Sequence, residues 1–130
     1  MNLNDIHKWL SEEAYWSKQI PYDTVATLFE HSFCVGVMSG NRQIGFARLV
    51  TDYATFAYLA DVYVIETHRG RGLSVKMMDA LFSLEWVRGL RRIMLSTIHA
   101  HGLYHKYGFS SCRYPERLME ILQSPDMYRS

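Results

Sequence analysis

Hydrophobic and polar positions change rhythm several times along the chain. Near the start, Ile6, Trp9 and Leu10 form one apolar face behind Asn4-Asp5, a pair able to cap a helix. The stretch SEEAYWSKQIP has no period and predicts a loop that carries two aromatics and ends at Pro21. Pro21 suits the first turn of a second helix in PYDTVATLFEHS, where Val25, Leu28 and Phe29 recur at helical spacing. From Ser32 the pattern turns β-like. Phe33 to Met38 predicts a short strand, Ser39-Gly40-Asn41-Arg42 a turn, and Gln43 to Thr51 a second strand, so the pair reads as a hairpin. After a turn at Thr51-Asp52-Tyr53, the run from Thr55 to Ile65 is nearly all apolar, β-branched or aromatic, as in a central strand covered on both faces.

A helix is predicted from Leu73 to about Val87, with Val75, Met78, Leu81, Phe82 and Trp86 on one side and Gly89 as its stop. Arg92 to Thr97 predicts a short buried strand, and Ala100 to Tyr107 a short helix stopped by Gly108. The remainder holds at most one or two short strands. Two helices, a hairpin and then β-α-β-α-β give a mixed α/β sheet in a single domain over residues 1–130.

Composition narrows the class. A net charge of +1 gives no bulk attraction to nucleic acid or to a membrane surface. No apolar run approaches the roughly 20 residues of a membrane span. Cys34 and Cys112 form no CxxC pair and read as reduced thiols. With no basic start followed by an apolar stretch at the N-terminus, a cytoplasmic protein is expected.

The segment THRGRGLSVKMM, Thr67 to Met78, carries candidate chemistry. A helix start leaves backbone N–H groups unpaired, and its dipole end is positive. Gly70 and Gly72 let an anion approach the backbone, and Arg69 and Arg71 add charge, so Arg69 to Ser74 is a candidate pyrophosphate cradle. A plain strand-to-helix turn with solvated arginines explains the same residues. The ATP loop GxxxxGK[ST] is absent, and the dinucleotide pattern GxGxxG lacks its third glycine.

Arg69-Gly70-Arg71-Gly72-Leu73-Ser74 after a long apolar strand, followed at a distance by Ala100-His101-Gly102-Leu103-Tyr104-His105-Lys106-Tyr107-Gly108-Phe109, resembles the GNAT (Gcn5-related) N-acetyltransferases. The resemblance spans about Phe33 to Phe109. It implies an acyl-CoA N-acyltransferase fold: a central, mostly antiparallel twisted sheet with a splayed parallel strand pair, flanked by about four helices. The N-terminal edge strand is short or missing. Ser74 replaces the usual Gly or Ala and is expected to be tolerated as a small residue able to cap. Thr97 stands where many members carry a cofactor-contacting Asn, and a hydroxyl can do part of that work.

The resemblance further implies acetyl-CoA as co-substrate and no metal. The pyrophosphate would lie on Arg69, Gly70, Arg71, Gly72, Leu73 and Ser74. The pantetheine arm would pair like an added strand with Val62, Tyr63 and Val64. An amine acceptor would attack the thioester directly, and a homodimer is left open. Tyr104 is the candidate acid for the leaving thiolate, since phenol and thiol have reference pKa values of about 10 and about 8.5. Asp61, a carboxylate in an apolar run, is the candidate base, with a structural aspartate as the competing reading. Glu12 and Glu13 are alternatives for amine recognition. His101 and His105 share a helix face, but no nearby carboxylate or cysteine completes a ligand set with them and His99. An N-acetyltransferase is therefore weighed against a non-catalytic acyl-CoA-binding module and, third, a nucleotide-binding module.

Overall fold

The computed structural model describes residues 1–14, 17–124 and 127–128. The chain divides into two compact units, one of Met1 with His31–Phe109 and one of Asn2–Glu30 with Ser110–Ser130.

In the second of these, α1 (Leu3–Lys8) is capped by Asn2, whose side chain accepts from the Asp5 amide at 3.1 Å. The cap therefore lies upstream of Asn4-Asp5: Asn2 is extended, and Asp5 sits in the first turn, where a carboxylate suits the positive helix end. The helix continues into a π-helical turn, Trp9–Glu13, which takes in the start of the expected loop. Tyr15 and Trp16, the two aromatics expected there, lie outside the described residues. α2 (Tyr22–Glu30) begins just after Pro21, as the sequence predicts. After Ser110 the described residues contain a 3-10 turn at Pro115–Arg117 and no strand.

The unit formed by Met1 and His31–Phe109 is built on a four-stranded sheet in the order β1-β2-β3-β4. Its strands are β1 (Phe33–Ser39), β2 (Arg42–Thr51), β3 (Phe56–Val64) and β4 (Arg92–Leu95). The first two pairings are antiparallel and the β3–β4 pairing is parallel, so the expected mixed sheet is present and β3 is interior to it. The turn between β2 and β3 is clamped by Asp52. Its Oδ1 accepts from the amides of Ala54, Thr55 and Phe56 at 2.9, 2.7 and 3.1 Å, and the Thr55 hydroxyl donates to Oδ2. These bonds, the Thr55 hydroxyl first, hold the Asp52 carboxyl below the usual carboxylate range.

One face of the sheet carries the core. Ala47, Leu49, Ala57, Leu59 and Val64 cluster with Met77, Met78 and Leu81 of α3 (Leu73–Phe82) and Val87 of α4 (Glu85–Arg88). The expected single helix to Val87 is broken because Leu84 is extended, at φ −75° and ψ 127°. Its buried face also differs, with Met77 inside and Val75 39% exposed. β3 keeps its core face through a bulge: Arg48 opposes Asp61 while Leu49 opposes Leu59, leaving Ala60 unpaired. The extra residue shifts the alternation by one, so Val62 and Val64 face the core as Ala57 and Leu59 do. Both cysteines are free, and burial pushes the Cys34 thiol up to about 11. No helix among the described residues is long and apolar enough to cross a membrane.

Candidate active site

The site grows from a mismatch in strand length. β3 pairs with β2 as far as Val64, but with β4 only from Phe56 to Leu59, where Leu95 is the last partner. Beyond Leu59 the two parallel strands part, and among the described residues no strand pairs with Ala60 to Val64 on that edge. Val62, Tyr63 and Val64, expected to meet an extended ligand arm, all lie in this open stretch. Its far end is tied down by Arg69, whose Nε donates to the Val64 carbonyl at 2.8 Å. The guanidinium carbon of Arg69 lies 5.5 Å from the Tyr63 ring centroid.

The chain then turns into α3 through two left-handed residues, Gly70 (φ 80°) and Gly72 (φ 73°), on either side of exposed Arg71. A side chain at either glycine would be strained even though the space around both is open. Gly72 is the N-cap residue, with no side-chain cap bond. Ser74 is therefore not the cap; it sits inside the first turn of the helix. The first helical bond here runs from the Lys76 amide to the Gly72 carbonyl at 3.1 Å. The N–H groups of residues 70 to 75 thus have no partner among the described residues. Leu73 packs half-buried against the core and anchors the turn.

Past β4, Thr97 Oγ1 accepts from the Ala100 amide at 3.1 Å and shapes the entry to α5 (His101–His105). The two tyrosines near α5 differ sharply. Tyr107 is latched to α3: its hydroxyl donates to Asp79 Oδ1 at 2.7 Å and lies 3.1 Å from the Val75 carbonyl. Partial burial and that carboxylate push its phenol up to about 12. Tyr104 packs half-buried against the core, its ring edge-on to Phe109 at 6.0 Å. Its hydroxyl has no hydrogen-bond partner among the described residues, and burial raises its pKa above the ordinary phenol value.

Asp61 is 4% exposed, and its Oδ2 accepts from Arg48 Nε at 2.7 Å. Arg48 also donates through Nη1 to Ser32 Oγ at 3.1 Å. Asp61 Oδ1 takes no bond from a described residue. The sequence reading passed over Arg48, although a lone cation in the apolar run QIGFARLV, one strand away from a lone carboxylate, is a signal for this pair. Glu12 and Glu13 are exposed. His99, His101 and His105 are exposed too, and no group of three or more His, Cys, Asp or Glu side chains could hold a metal among the described residues.

The sequence model of the acetyltransferase (GNAT) family matches residues 3–109. A Gibberella zeae protein named as an acetyltransferase is 30% identical over 115 aligned residues, covering 74% of this chain. The chain spans 65% of the length of that relative. A crystal structure from Xanthomonas campestris pv. campestris, described as a GNAT-family acetyltransferase, is 45% identical. It covers 100% of this chain and 91% of its own, with a TM-score of 0.94. A GNAT-family acetyltransferase from Streptococcus pneumoniae shares the fold at 18% identity, with a TM-score of 0.69 over 95% of this chain and 91% of its own. A parallel strand pair that parts at Leu59, a double-glycine turn and the matched span from residue 3 to residue 109 lead to one assignment: the chain belongs to the GNAT acetyltransferase family.

Proposed function

We propose that the protein transfers the acetyl group of acetyl-CoA to a primary amine of a small molecule or peptide by direct attack. The observation that carries this reading is the run of N–H groups from residue 70 to residue 75 with no partner among the described residues, in the turn that Arg69 ties to the end of β3. That run and the outward guanidinium of Arg71 suit a pyrophosphate, and the open edge from Ala60 to Val64 suits an amide-bearing arm. Bound acetyl-CoA supplies an activated thioester. The chain's own residues supply position and protons. Arg69 holds the end of β3 against the turn. Thr97, with its oxygen used by Ala100, keeps a hydroxyl proton to donate. Tyr104 stays protonated at neutral pH, because burial disfavours its phenolate; it gives that proton to the sulfur as the carbon–sulfur bond breaks, and the second proton lost by the acylated nitrogen restores the phenol. Asp61 Oδ1 receives the proton of the incoming ammonium, while Arg48 holds Oδ2 in place.

The Arg48 ion pair gives Asp61 a structural task, which favours as second reading an acyl-CoA-binding module without turnover. Thiol release from acetyl-CoA across a panel of amines separates the two. Calorimetric titration of acetyl-CoA tests the shared cradle. Gly72→Val forces a β-branched residue into a left-handed conformation and is expected to weaken binding at least tenfold, about 1.4 kcal/mol. Unchanged affinity in a folded Gly72→Val protein would remove the cradle, and release with no amine would leave only the binding module.

A further inference from the structure

The candidate acid and the anion cradle are both tied to one helix. α3 begins at the double-glycine turn, and further along it carries Asp79 and Phe82. Phe82 meets two rings of the segment that follows α5. It stacks on Tyr107, with centroids 5.7 Å apart and planes 24° apart, and stands edge-on to Phe109 at 6.0 Å. Phe109 in turn stands edge-on to Tyr104. The Tyr104 carbonyl accepts from the amides of Tyr107 and Phe109, at 2.9 and 3.3 Å. The backbone of Tyr104 is thus bonded to two residues that rest on α3. Ring packing alone leaves such a contact free to slide along the helix, because apolar attraction has no direction. The Tyr107 hydroxyl supplies the direction. It donates to Asp79 Oδ1 at 2.7 Å and lies 3.1 Å from the Val75 carbonyl. Val75 belongs to the first turn of α3, and its own N–H is one of the cradle groups.

We infer that Tyr107 and Asp79 are a positioning pair, which sets Tyr104 at the height along α3 where a thioester held by the cradle presents its sulfur. The inference rests on the reading of Tyr104 as the acid. α3 then works as a ruler: its first turn holds the donor, and Asp79, one turn further on, holds the segment that bears the acid. A phenylalanine in place of Tyr107 would stack on Phe82 as before, so the hydroxyl serves register rather than packing. The bond is exposed to water, so its removal leaves the fold in place. Its removal is felt in the chemistry instead, since a misplacement of about 1 Å can cost about 10² in rate.

Tyr107→Phe is expected to lower kcat for amine-dependent thiol release by about tenfold to a hundredfold, with acetyl-CoA affinity unchanged by calorimetry. In a Tyr104→Phe background the same change is expected to cost nothing further, because no acid is left to position. Asp79→Leu is expected to repeat the loss, and Asp79→Asn, which keeps an acceptor oxygen for the phenol, to recover most of it. Hydrogen exchange gives a readout without turnover: the Phe109 amide, bonded to the Tyr104 carbonyl, is expected to exchange faster in Tyr107→Phe. Parental kcat in Tyr107→Phe, a loss that persists in full beside Tyr104→Phe, or unchanged exchange at Phe109 would overturn the positioning and leave the transfer reading intact. A parent that releases no thiol with any amine, or a Tyr104→Phe protein with full turnover, would overturn the reading of Tyr104 as the acid, and the positioning with it.

Discussion

At the scale of the residue, the site depends on which polar atoms are already engaged. Tyr107 spends its hydroxyl on Asp79, and Tyr104 keeps its own available. Tyr104→Phe retains the ring against Phe109 and removes only the proton. Turnover is expected to fall by about 10² to 10⁴, the usual range for a general acid, with acetyl-CoA affinity and melting temperature near those of the parent. A loss of affinity with full turnover at saturation would make Tyr104 a binding contact instead. Arg48→Leu leaves the buried Asp61 carboxylate without its partner. Chemical denaturation is expected to show a loss of about 3–5 kcal/mol, the usual cost of breaking a buried pair from one side. Asp61→Asn separates its two tasks: a base that acts through Oδ1 loses turnover, whereas a purely structural aspartate loses stability alone. The sequence marked Asp61 as a carboxylate in an apolar run and the glycines as a turn before a helix, while Tyr104, one of nine tyrosines, was marked by the resemblance. The sequence concealed the Asn2 cap and the Tyr107 latch, since both depend on where a partner atom lies in space, the Asp5 amide for one and the Asp79 carboxylate for the other.

At the scale of the element, strands were more legible than helices. β2 and β3 announce themselves by continuous apolar and β-branched runs bounded by turn residues, and their observed ends lie close to the expected ones. The division of α3 from α4 at Ser83-Leu84 was not legible, because neither residue is a glycine or proline and each fits a helix locally. The bulge at Ala60 was hidden for a related reason: an apolar run with no polar alternation shows no slip in phase. The latch between Tyr107 and Asp79 ties the segment after α5 to α3, and it has a pH signature. A phenol raised from about 10 in the unfolded chain to about 12 when folded favours the folded state fully below pH 10. That contribution is lost as pH climbs from 10 through 12, where the unfolded chain ionises first. Thermal unfolding followed across this window is expected to show a falling midpoint, with a shallower fall in Tyr107→Phe. Equal slopes for the two proteins would mean that the latch is not the group responsible.

At the scale of the molecule, the sheet combines neighbours in sequence with one distant strand. β1, β2 and β3 follow one another through short turns, and Asp52 locks the second of these by local bonds alone. β4 joins only after α3 and α4 have been traversed, over the four-residue register from Phe56–Arg92 to Leu59–Leu95. This difference sets an order in time. Hairpins close early because their loops are short, and the parallel seam must wait for the crossover to be in place. The last seam to form, with the fewest partners, is also the first to open in the native state. Amides of Ile93 to Leu95 are therefore expected to exchange with deuterium sooner than those of Phe46 to Leu49. A ligand laid into the cleft where that seam ends would act as a clasp, slowing exchange in β4 while leaving β2 nearly unchanged.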